Sequence, residues 1–291
     1  MATYNSQRYM RCQLDSILAQ KDVEVRLLVR DDGSTDSTHA ILDEYADRGM
    51  LRWYSGENLK SARCFMQLLK DAPECDFYAF SDHDDFWEPD KLSVAVSAIA
   101  GAGSRPALYL SQPQAADSEL HPVKSKQYRP QGGFAESMIY WFAMGCTMVM
   151  NNPLRNIVNS YTPEFLYMHD VWIYSLAYAV GGKVVWDDTP HTLNRQTGSN
   201  VVGLGGGRLS MLKLRLNRFM NGGEVRYRQA RELQQGYSAE ITSENKDLLR
   251  VFVDAKQSFL LRMSMIFNSR MRCADRSTLC LFWVNLIFNK Y

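Results

Sequence analysis

The chain has 291 residues, of which 46% are apolar, 22% are charged and 9 are prolines, a composition that excludes disordered, collagen-like and low-complexity proteins. Its length fits one large α/β domain with a helical extension, or two modest domains. The formal net charge of +1 argues against a protein that binds nucleic acid mainly through its phosphates.

Strands and helices alternate over the first part of the chain. The run VEVRLLVR at 23–30 predicts a strand, and the polar turn DDGSTD that follows ends in good helix N-cap residues. The next segments predict a helix from Ser37 to Arg48, a strand at 51–55, a helix at 60–70 and a strand at 77–81. This alternation predicts βα units and a mostly parallel sheet.

The alternation continues less regularly further along. Pro89 suits the first turn of a predicted helix, and strands are predicted at 107–112 and 183–187. Residues 113–133, rich in Pro, Gln, Ser and Gly, predict a loop or lobe over the sheet. A further helix is predicted from Val171 to Val180, and from Arg208 onward the pattern is helical.

The start of the chain departs from this pattern. It begins MATYNS, in which polar, turn-forming residues follow only Met1 and Ala2. A parallel-sheet protein normally opens with an apolar strand before such a loop. We therefore expect the first strand of the sheet to be missing.

The cysteines and the hydropathy pattern bear on the cellular compartment. The six cysteines show no CxxC spacing and no histidines at zinc-finger distances, so neither a structural metal nor a disulfide framework is predicted. There is no charged-then-apolar leader and no apolar run of about 18 residues or more. We expect reduced thiols and a cytoplasmic protein.

The strongest chemical signal is SDHDD at 81–85, directly after a predicted strand. Carboxylates at the carboxyl end of a parallel strand face the crevice where α/β sheets bind ligands. Mg²⁺ and Mn²⁺ prefer oxygen ligands, and such a cation removes the mutual repulsion of Asp82, Asp84 and Asp85. The alternative is a solvated acidic turn that caps the next helix.

A second candidate is DDGSTD at 31–36, which also follows a predicted strand. A carboxylate there can accept hydrogen bonds from a nucleobase or a ribose hydroxyl, and Gly33 lets the backbone turn sharply. Taken alone, this segment is an ordinary turn and helix cap. Its significance comes from preceding the acidic cluster by about fifty residues in a βαβ pattern.

Five segments together resemble glycosyltransferase family 2, inverting enzymes with one nucleotide-binding α/β domain. They are ATYNS (2–6), DDGSTD (31–36), SDHDDFWEPDKL (81–92), GCTMVMN (145–151) and MHDVWIY (168–174). The resemblance implies a Rossmann-like GT-A nucleotide-diphospho-sugar transferase domain over residues 1–202, followed by a helical region at 203–291. The nearest subgroup is the bacterial rhamnosyltransferases, because RQTGSNVVG (195–203) is similar to their Arg-Gln-His-x-x-Asn loop.

The resemblance also implies donor-binding and metal-binding roles. Tyr4 and Asp32 would contact the base or ribose of the donor nucleotide. Asp82 and Asp84 match the Asp-x-Asp motif, in which Asp84 would bind the Mg²⁺ or Mn²⁺ that bridges the diphosphate. Asp85 would support this arrangement.

Asp170 falls where the family places its catalytic base. The acceptor hydroxyl must lose a proton as it attacks the anomeric carbon, and a carboxylate in the cleft is a suitable general base. The departing diphosphate gains negative charge, which a divalent cation can stabilise. The alternative for Asp170 is an N-cap of the apolar helix that follows. His169 either orients substrate or packs beside it.

Arg195 and Gln196 are candidates for holding the diphosphate or the acceptor. The alternative is an exposed polar loop. Thr197 stands where the subgroup usually has histidine, so a contact made by that ring is not carried over to this chain.

The C-terminal part has a different charge from the rest. Residues 1–202 carry 18 basic and 25 acidic groups, a balance of −7, and residues 203–291 carry 15 and 7, a balance of +8. The apolar run LCLFWVNLIF at 279–288, preceded by arginines, is too short to span a bilayer. It suits a helix at an anionic membrane surface, and the alternative is a helix docked on the first domain.

These observations predict a metal-dependent inverting glycosyltransferase. It would move a sugar, rhamnose by its nearest subgroup, from a nucleoside diphosphate to a polysaccharide or lipid-linked glycan in cell-surface glycan biosynthesis. The rival is a non-catalytic nucleotide-sugar or glycan-binding paralogue, favoured by the missing strand and Thr197 and opposed by the aspartates. No nucleic-acid partner is predicted, because the aromatic residues of the tail do not alternate with its arginines.

Overall fold

The computed structural model describes residues 1–196 and 224–291. The strands are β1 (Ala2–Thr3), β2 (Leu28–Asp31), β3 (Arg52–Ser55), β4 (Phe77–Ala79), β5 (Phe86–Trp87), β6 (Ala107–Ser111), β7 (Gln114–Ala116), β8 (Val149–Asn151), β9 (Lys183–Asp187) and β10 (Thr192–Arg195). The helices are α1 (Met10–Leu18), α2 (Thr38–Asp47), α3 (Lys60–Asp71), α4 (Lys91–Ile99), α5 (Phe134–Ile139), α6 (Asn152–Asn159), α7 (His169–Ala179), α8 (Val225–Gly236), α9 (Ser243–Asp254), α10 (Phe259–Phe267) and α11 (Arg276–Ile287). The predicted α/β class is confirmed.

The strands pair in three sheets, of which the first is wholly parallel and the other two are mixed. β2 lies between β1 and β3 and is parallel to both. The Ala2 N–H donates to the Ser81 carbonyl oxygen (3.3 Å), so β1 lies beside the segment that follows β4. The segments after β1, β2 and β4 are thereby brought next to one another.

Beyond β4 the strand directions alternate. β8 lies between β4 and β6 and is antiparallel to both, and β6 is parallel to β9. A further group places β10 between β5, to which it is antiparallel, and β7, to which it is parallel. The expectation of a mostly parallel sheet holds for β1 to β3. The sequence missed β8 because its three residues follow a 3-10 turn at Gly145–Thr147, which carries no hydrophobic period.

The first strand is present as two residues. Ala2 pairs with Arg30 and Thr3 with Asp31. The Met1 amino group adds a hydrogen bond to the Leu28 carbonyl oxygen (2.7 Å), and the Arg30 N–H donates to the Met1 carbonyl oxygen (3.0 Å). The place that the sequence left without a strand is therefore occupied by a short one.

Helices cover both faces of the sheet. Adjacent residues of β6 point to opposite faces, as in any strand, so Leu108 packs with α3, α6 and α7 while Tyr109 packs with α4. α1 and α2 pack with β2 in a separate cluster. Local sequence sets some boundaries: α6 begins after Asn151, whose side chain accepts the Leu154 N–H, and Pro153 occupies its first turn.

The C-terminal helices share the main core with the sheet. Tyr237, which follows α8, is fully buried, and its hydroxyl donates to the Val158 carbonyl oxygen of α6 (2.9 Å). Phe282 and Leu286 of α11 are buried in the same cluster as Trp172 of α7. One side of the apolar run is therefore docked on the protein. The expected boundary at 202–203 lies outside the described residues and stays a prediction, and no described helix is long and apolar enough to cross a membrane.

Replacing Tyr237 tests whether the C-terminal helices and the sheet unfold as one unit. Because the Tyr237 ring packs against Tyr161 and Trp172, Tyr237→Ala should lower the free energy of unfolding by roughly 3–5 kcal/mol, measured by denaturant titration. Tyr237→Phe, which removes only the hydroxyl, should cost about 1 kcal/mol. Two separate transitions, with only one of them moved by Tyr237→Ala, would contradict a shared core.

Candidate active site

The loop after β2 is organised by a buried carboxylate, Asp31. Its oxygens accept the N–H groups of Gly33 (3.1 Å) and Ser34 (2.8 Å), the Thr3 hydroxyl (3.1 Å) and the His39 Nε2–H (2.8 Å). Burial opposes the charge, but hydrogen bonds from Ser34 and His39 outweigh it and lower the pKa of Asp31. Gly33 has a φ of +90°, which a side chain would strain. The predicted turn is thus built around Asp31.

Asp32 is also buried, and both of its oxygens are bonded within the protein. Oδ1 pairs with the Arg30 guanidinium and accepts the Leu59 N–H (2.9 Å), and Oδ2 accepts the Lys60 N–H (3.0 Å). These N–H groups belong to the start of α3, where helix donors lack partners within the helix. Asp32 therefore fixes the start of α3, and its predicted contact with a donor nucleotide stays a prediction.

The loops after β1 and β2 form one surface. The Asn5 N–H donates to the Ser34 hydroxyl (2.8 Å), and the Thr35 N–H donates to Asn5 Oδ1 (2.9 Å). The Tyr4 side chain is 50% exposed beside these bonds. Tyr4 is therefore accessible to a ligand, as its predicted role requires.

The acidic loop after β4 forms a candidate metal site with a residue from elsewhere in the chain. Asp82, Asp85 and Cys146 can each offer one ligand atom, and these atoms lie within 4.8 Å of one another. Burial, followed by the charges of Asp84 and Asp170, raises the pKa of Asp82 to about 7. Burial and the charges of Asp82 and Asp84 also raise the pKa of Asp85 well above its ordinary value. A bound cation would favour the ionised forms.

Strand β10 holds the acidic loop in place. Asp85 Oδ1 accepts the Asn194 side-chain amide (3.0 Å) and the Arg195 N–H (3.2 Å). The Arg195 Nε–H donates to the Asp84 carbonyl oxygen (2.8 Å), and its guanidinium lies over the Tyr9 ring, 4.4 Å from the centroid. Asp85 Oδ2 has no hydrogen-bond partner within the described part of the chain. This oxygen therefore remains available for a ligand.

A buried lysine adds positive charge next to this loop. Lys91 is 1% exposed, and its ammonium lies 3.7 Å from the centroid of the Trp87 ring. Burial lowers the pKa of Lys91 to about 8, although the nearby Cys146 and Asp85 act in the opposite direction. Lys91 therefore offsets part of the negative charge from inside the protein.

Asp170 lies at the first turn of α7 and is nearly buried. Its Oδ2 accepts the Gly145 N–H (3.2 Å) and its Oδ1 accepts the Val171 N–H (2.7 Å). Burial raises the pKa of Asp170 to about 6, and these backbone bonds limit the rise. A carboxylate with this pKa is ionised at neutral pH and is a stronger base than an exposed one.

The neighbouring His169 packs inside the protein and is neutral. Its ring stacks on Phe65 (4.3 Å between centroids) and meets the edge of Phe80 (4.9 Å). Burial lowers the pKa of His169 to about 3. A Cβ at position 145 would lie 2.4 Å from His169 Nε2, so Gly145 is required for this packing. Of the two alternatives for His169, the structure shows packing.

The predicted site residues fall into two neighbouring groups. A ligand atom of Asp82 lies within 4.8 Å of Cys146, and the N–H of the preceding Gly145 donates to Asp170, so the acidic loop and Asp170 adjoin the same segment. Tyr4 and Asp32 belong to the adjoining loop pair. Asp84 is outside the Asp82, Asp85 and Cys146 set, and its role as a metal ligand stays a prediction.

Arg195 contacts the acidic loop directly, and Gln196 contacts Asn194 of β10. Arg195 contacts Asp84 as described, and the Gln196 side-chain amide donates to Asn194 Oδ1 (2.7 Å). Their predicted contact with a diphosphate or an acceptor stays a prediction. Thr197 lies outside the described residues.

Sequence reasoning missed four residues that shape the site. Cys146 and Gly145 lie in the quoted segment GCTMVMN, and Lys91 lies in SDHDDFWEPDKL, but no role was given to any of them. Asn194 precedes the quoted loop RQTGSNVVG. A lysine that follows an acidic cluster within one motif was the available signal. The partners of Cys146 and Asn194 are distant in sequence, so no local sequence pattern predicts these contacts.

Comparison with known proteins identifies the family. The sequence model described as glycosyl transferase family 2 matches residues 1–155. A dTDP-rhamnosyl transferase of Shigella flexneri, RfbG, is 29% identical over 222 residues, which are 70% of this chain and 73% of that protein. An uncharacterized glycosyltransferase of Rickettsia typhi is 23% identical over 173 residues, 57% of this chain and 54% of that protein. This chain thus spans about half the length of the second relative.

A solved structure confirms the GT-A fold that the resemblance implied. Residues 1–349 of S. aureus TarS, in complex with UDP, match with a TM-score of 0.58 and 19% identity, over 88% of this chain and 70% of that one. Identity this low shows the fold alone. The family match covers more than half of the chain. The chain therefore belongs to glycosyl transferase family 2.

Proposed function

We propose that this glycosyltransferase moves rhamnose from a nucleoside-diphosphate donor, dTDP-rhamnose, to a hydroxyl group of a polysaccharide or lipid-linked glycan. The transfer would invert the configuration at the anomeric carbon. The similarity to RfbG supports the donor. The observation that carries the proposal is that the acidic loop and Asp170 meet at Gly145 and Cys146, because this reaction needs both a base and a site for a diphosphate. A lipid-linked acceptor would place the protein at the cytoplasmic face of the cell membrane.

In the proposed mechanism, Asp170 takes the proton of the acceptor hydroxyl as that oxygen attacks the anomeric carbon. The Gly145 N–H fixes the carboxylate through Oδ2. The raised pKa makes the proton transfer more favourable than it would be for an exposed aspartate. Attack opposite the leaving group inverts the sugar in a single displacement, so no covalent intermediate with the enzyme is needed.

The residues of the acidic loop fit a divalent cation. The partnerless Oδ2 of Asp85 and the raised pKa values of Asp82 and Asp85 are what a site for a hard cation would show. Asp82 and Asp84 would hold Mg²⁺ or Mn²⁺, with Asp85 in support. The bound metal would stabilise the negative charge of the departing diphosphate. Arg195 and Asn194 keep the loop in the conformation that this requires.

Asp170→Asn tests the base at nearly constant size, since the amide keeps one of the two acceptor oxygens and cannot take up a proton. Transfer should fall by about 100-fold or more, and binding of dTDP with Mn²⁺, measured by calorimetry, should stay unchanged. Asp22→Asn is a matched control, because Asp22 is exposed and its φ of 59° suits asparagine equally well. Full transfer by Asp170→Asn would remove the base assignment. Nucleotide binding by the wild type without turnover on any acceptor would favour the non-catalytic rival.

The pH dependence of transfer follows from the pKa of Asp170. Because burial raises this pKa to about 6, the carboxyl group is protonated below that pH and cannot accept the acceptor's proton. At saturating metal, kcat/KM should therefore rise about tenfold per pH unit below 6 and level off above it. Calorimetry of donor binding at the same pH values separates this effect from a change in affinity. A flat profile between pH 5 and pH 7 would argue against Asp170 as the base.

Metal dependence distinguishes between the two possible ligand sets. EDTA should abolish transfer, and Asp84→Ala should weaken Mn²⁺ binding and turnover by about tenfold or more, because Mn²⁺ prefers oxygen ligands. Cys146→Ala should change Mn²⁺ affinity by less than about threefold for the same reason. Calorimetric titration with Mn²⁺ measures both variants. Unchanged Mn²⁺ affinity in Asp84→Ala, with a large loss in Cys146→Ala, would move the site to Asp82, Asp85 and Cys146.

A further inference from the structure

Helix α10 is apolar but contributes little to the core. Its sequence is FLLRMSMIF, and Met265 is its one buried residue. Phe259, Leu260 and Phe267 are 55%, 78% and 85% exposed. A helix that is apolar on most sides normally buries most of its surface, whereas one side of α10 packs on its neighbours through Leu261, Met265 and Ile266 and the other side is left uncovered in the described part of the chain.

Helix α11 shows the same pattern on one side. Phe282 and Leu286 are buried against the protein. Val284, Ile287 and Phe288 are 38%, 46% and 63% exposed. The side that faces away from the core is therefore apolar as well.

These exposed side chains belong to one region. The Lys256 ammonium donates to the Asn289 carbonyl oxygen (2.7 Å), and the Asn289 amide donates to the Lys256 carbonyl oxygen (3.2 Å). These bonds join the 3-10 turn Ala255–Gln257, just before α10, to the residues just after α11. We call the set Phe259, Leu260, Phe267, Val284, Ile287 and Phe288 the C-terminal apolar surface. It holds six of the ten large hydrophobic residues that are exposed in the described ranges, a concentration that marks an interaction site.

The segment that carries this surface is basic. Residues 259–291 contain five basic side chains and one acidic side chain, Asp275. Arg272 and Arg276, in the connection to α11 and at its first turn, are both exposed. Arg270 forms an ion pair with Glu244 (3.2 Å). The acidic Asp275 forms an ion pair with Lys126 (3.6 Å). Apolar side chains flanked by cations match the surface of an anionic bilayer.

We propose that the C-terminal apolar surface binds an anionic lipid bilayer, with α10 and α11 lying in the plane of the interface. Short helices with exposed aromatic and aliphatic residues insert to the depth of the headgroups, while arginines contact lipid phosphates. The inference rests on the proposed function, because binding to the bilayer would bring the active site to a lipid-linked acceptor. The alternative occupant, a second copy of the chain, is distinguished by the experiment.

The experiment is flotation of the purified full-length chain with vesicles. Vesicles of phosphatidylglycerol and phosphatidylcholine should bind the protein, vesicles of phosphatidylcholine alone should bind it much less, and high salt should release part of it. Absence of binding to the anionic vesicles at low salt would overturn the proposal. Donor hydrolysis measured without lipid reports on the proposed function separately, so either can fail alone.

Two double variants identify the surface. Leu260→Ser with Phe267→Ser should weaken binding by about tenfold or more, and Arg272→Ala with Arg276→Ala should remove much of the salt dependence. Met50→Ser, and Arg52→Ala with Lys70→Ala, are controls from exposed positions elsewhere and should bind like wild type. Thermal melting and donor hydrolysis should be unchanged in all of them.

Light scattering tests the second-copy alternative. A wild-type dimer that becomes monomeric in Leu260→Ser with Phe267→Ser, together with no difference in flotation, would assign the surface to self-association and overturn the proposal. A monomeric wild type whose flotation is lost in that variant would support it.

Discussion

The active site depends on keeping several carboxylates together where little water can reach them. Burial raises the pKa values of Asp82, Asp85 and Asp170 together, so each of them is held in place against a tendency to lose its charge. Such a group is stable only if the surrounding protein supplies donors and positive charge. To bind a ligand as well, the group must keep an oxygen that no protein donor occupies. The elements around the acidic loop meet this condition in different ways.

Strand β10 provides the donors. Asn194 and Arg195 donate hydrogen bonds to Asp85 of the acidic loop. The sequence separations are 109 and 110 positions. Lys91 provides a cation from the first turn of α4, and its stacking on Trp87 keeps it there without a hydrogen bond to a carboxylate in the described ranges. The two-residue strand β1 places the loop after β2 beside the acidic loop. In that neighbouring loop, Asp31 and Asp32 accept hydrogen bonds from nearby backbone N–H groups. The acidic loop is therefore bonded to other elements while Asp85 Oδ2 has no hydrogen-bond partner in the described ranges.

The sequence predicts the elements that carry their own hydrophobic pattern. It does not predict the strands and contacts that depend on residues distant in the chain. The strand predicted at 183–187 and the helix predicted at 60–70 agree with β9 and α3, since each carries its own hydrophobic pattern. β7, β8 and β10 have three or four residues each and owe their existence to pairing with distant strands, so no local pattern predicted them. Asp82 and Asp170 were recognised from their motifs. Cys146 has no cysteine or histidine at a metal-binding spacing in the sequence, whereas its neighbours in space are aspartates.

The packing of His169 has a consequence for the strength of the base. A protonated imidazole beside Asp170 would stabilise the carboxylate and make it a poorer acceptor of protons. Phe65 and Phe80 enclose the ring so closely that it carries no charge at neutral pH. The proton affinity of Asp170 is thus set partly by two hydrocarbon side chains, from α3 and from just after β4, that take no part in the chemistry. A change at either phenylalanine that let water reach the imidazole would weaken the base and leave every polar residue of the site in place.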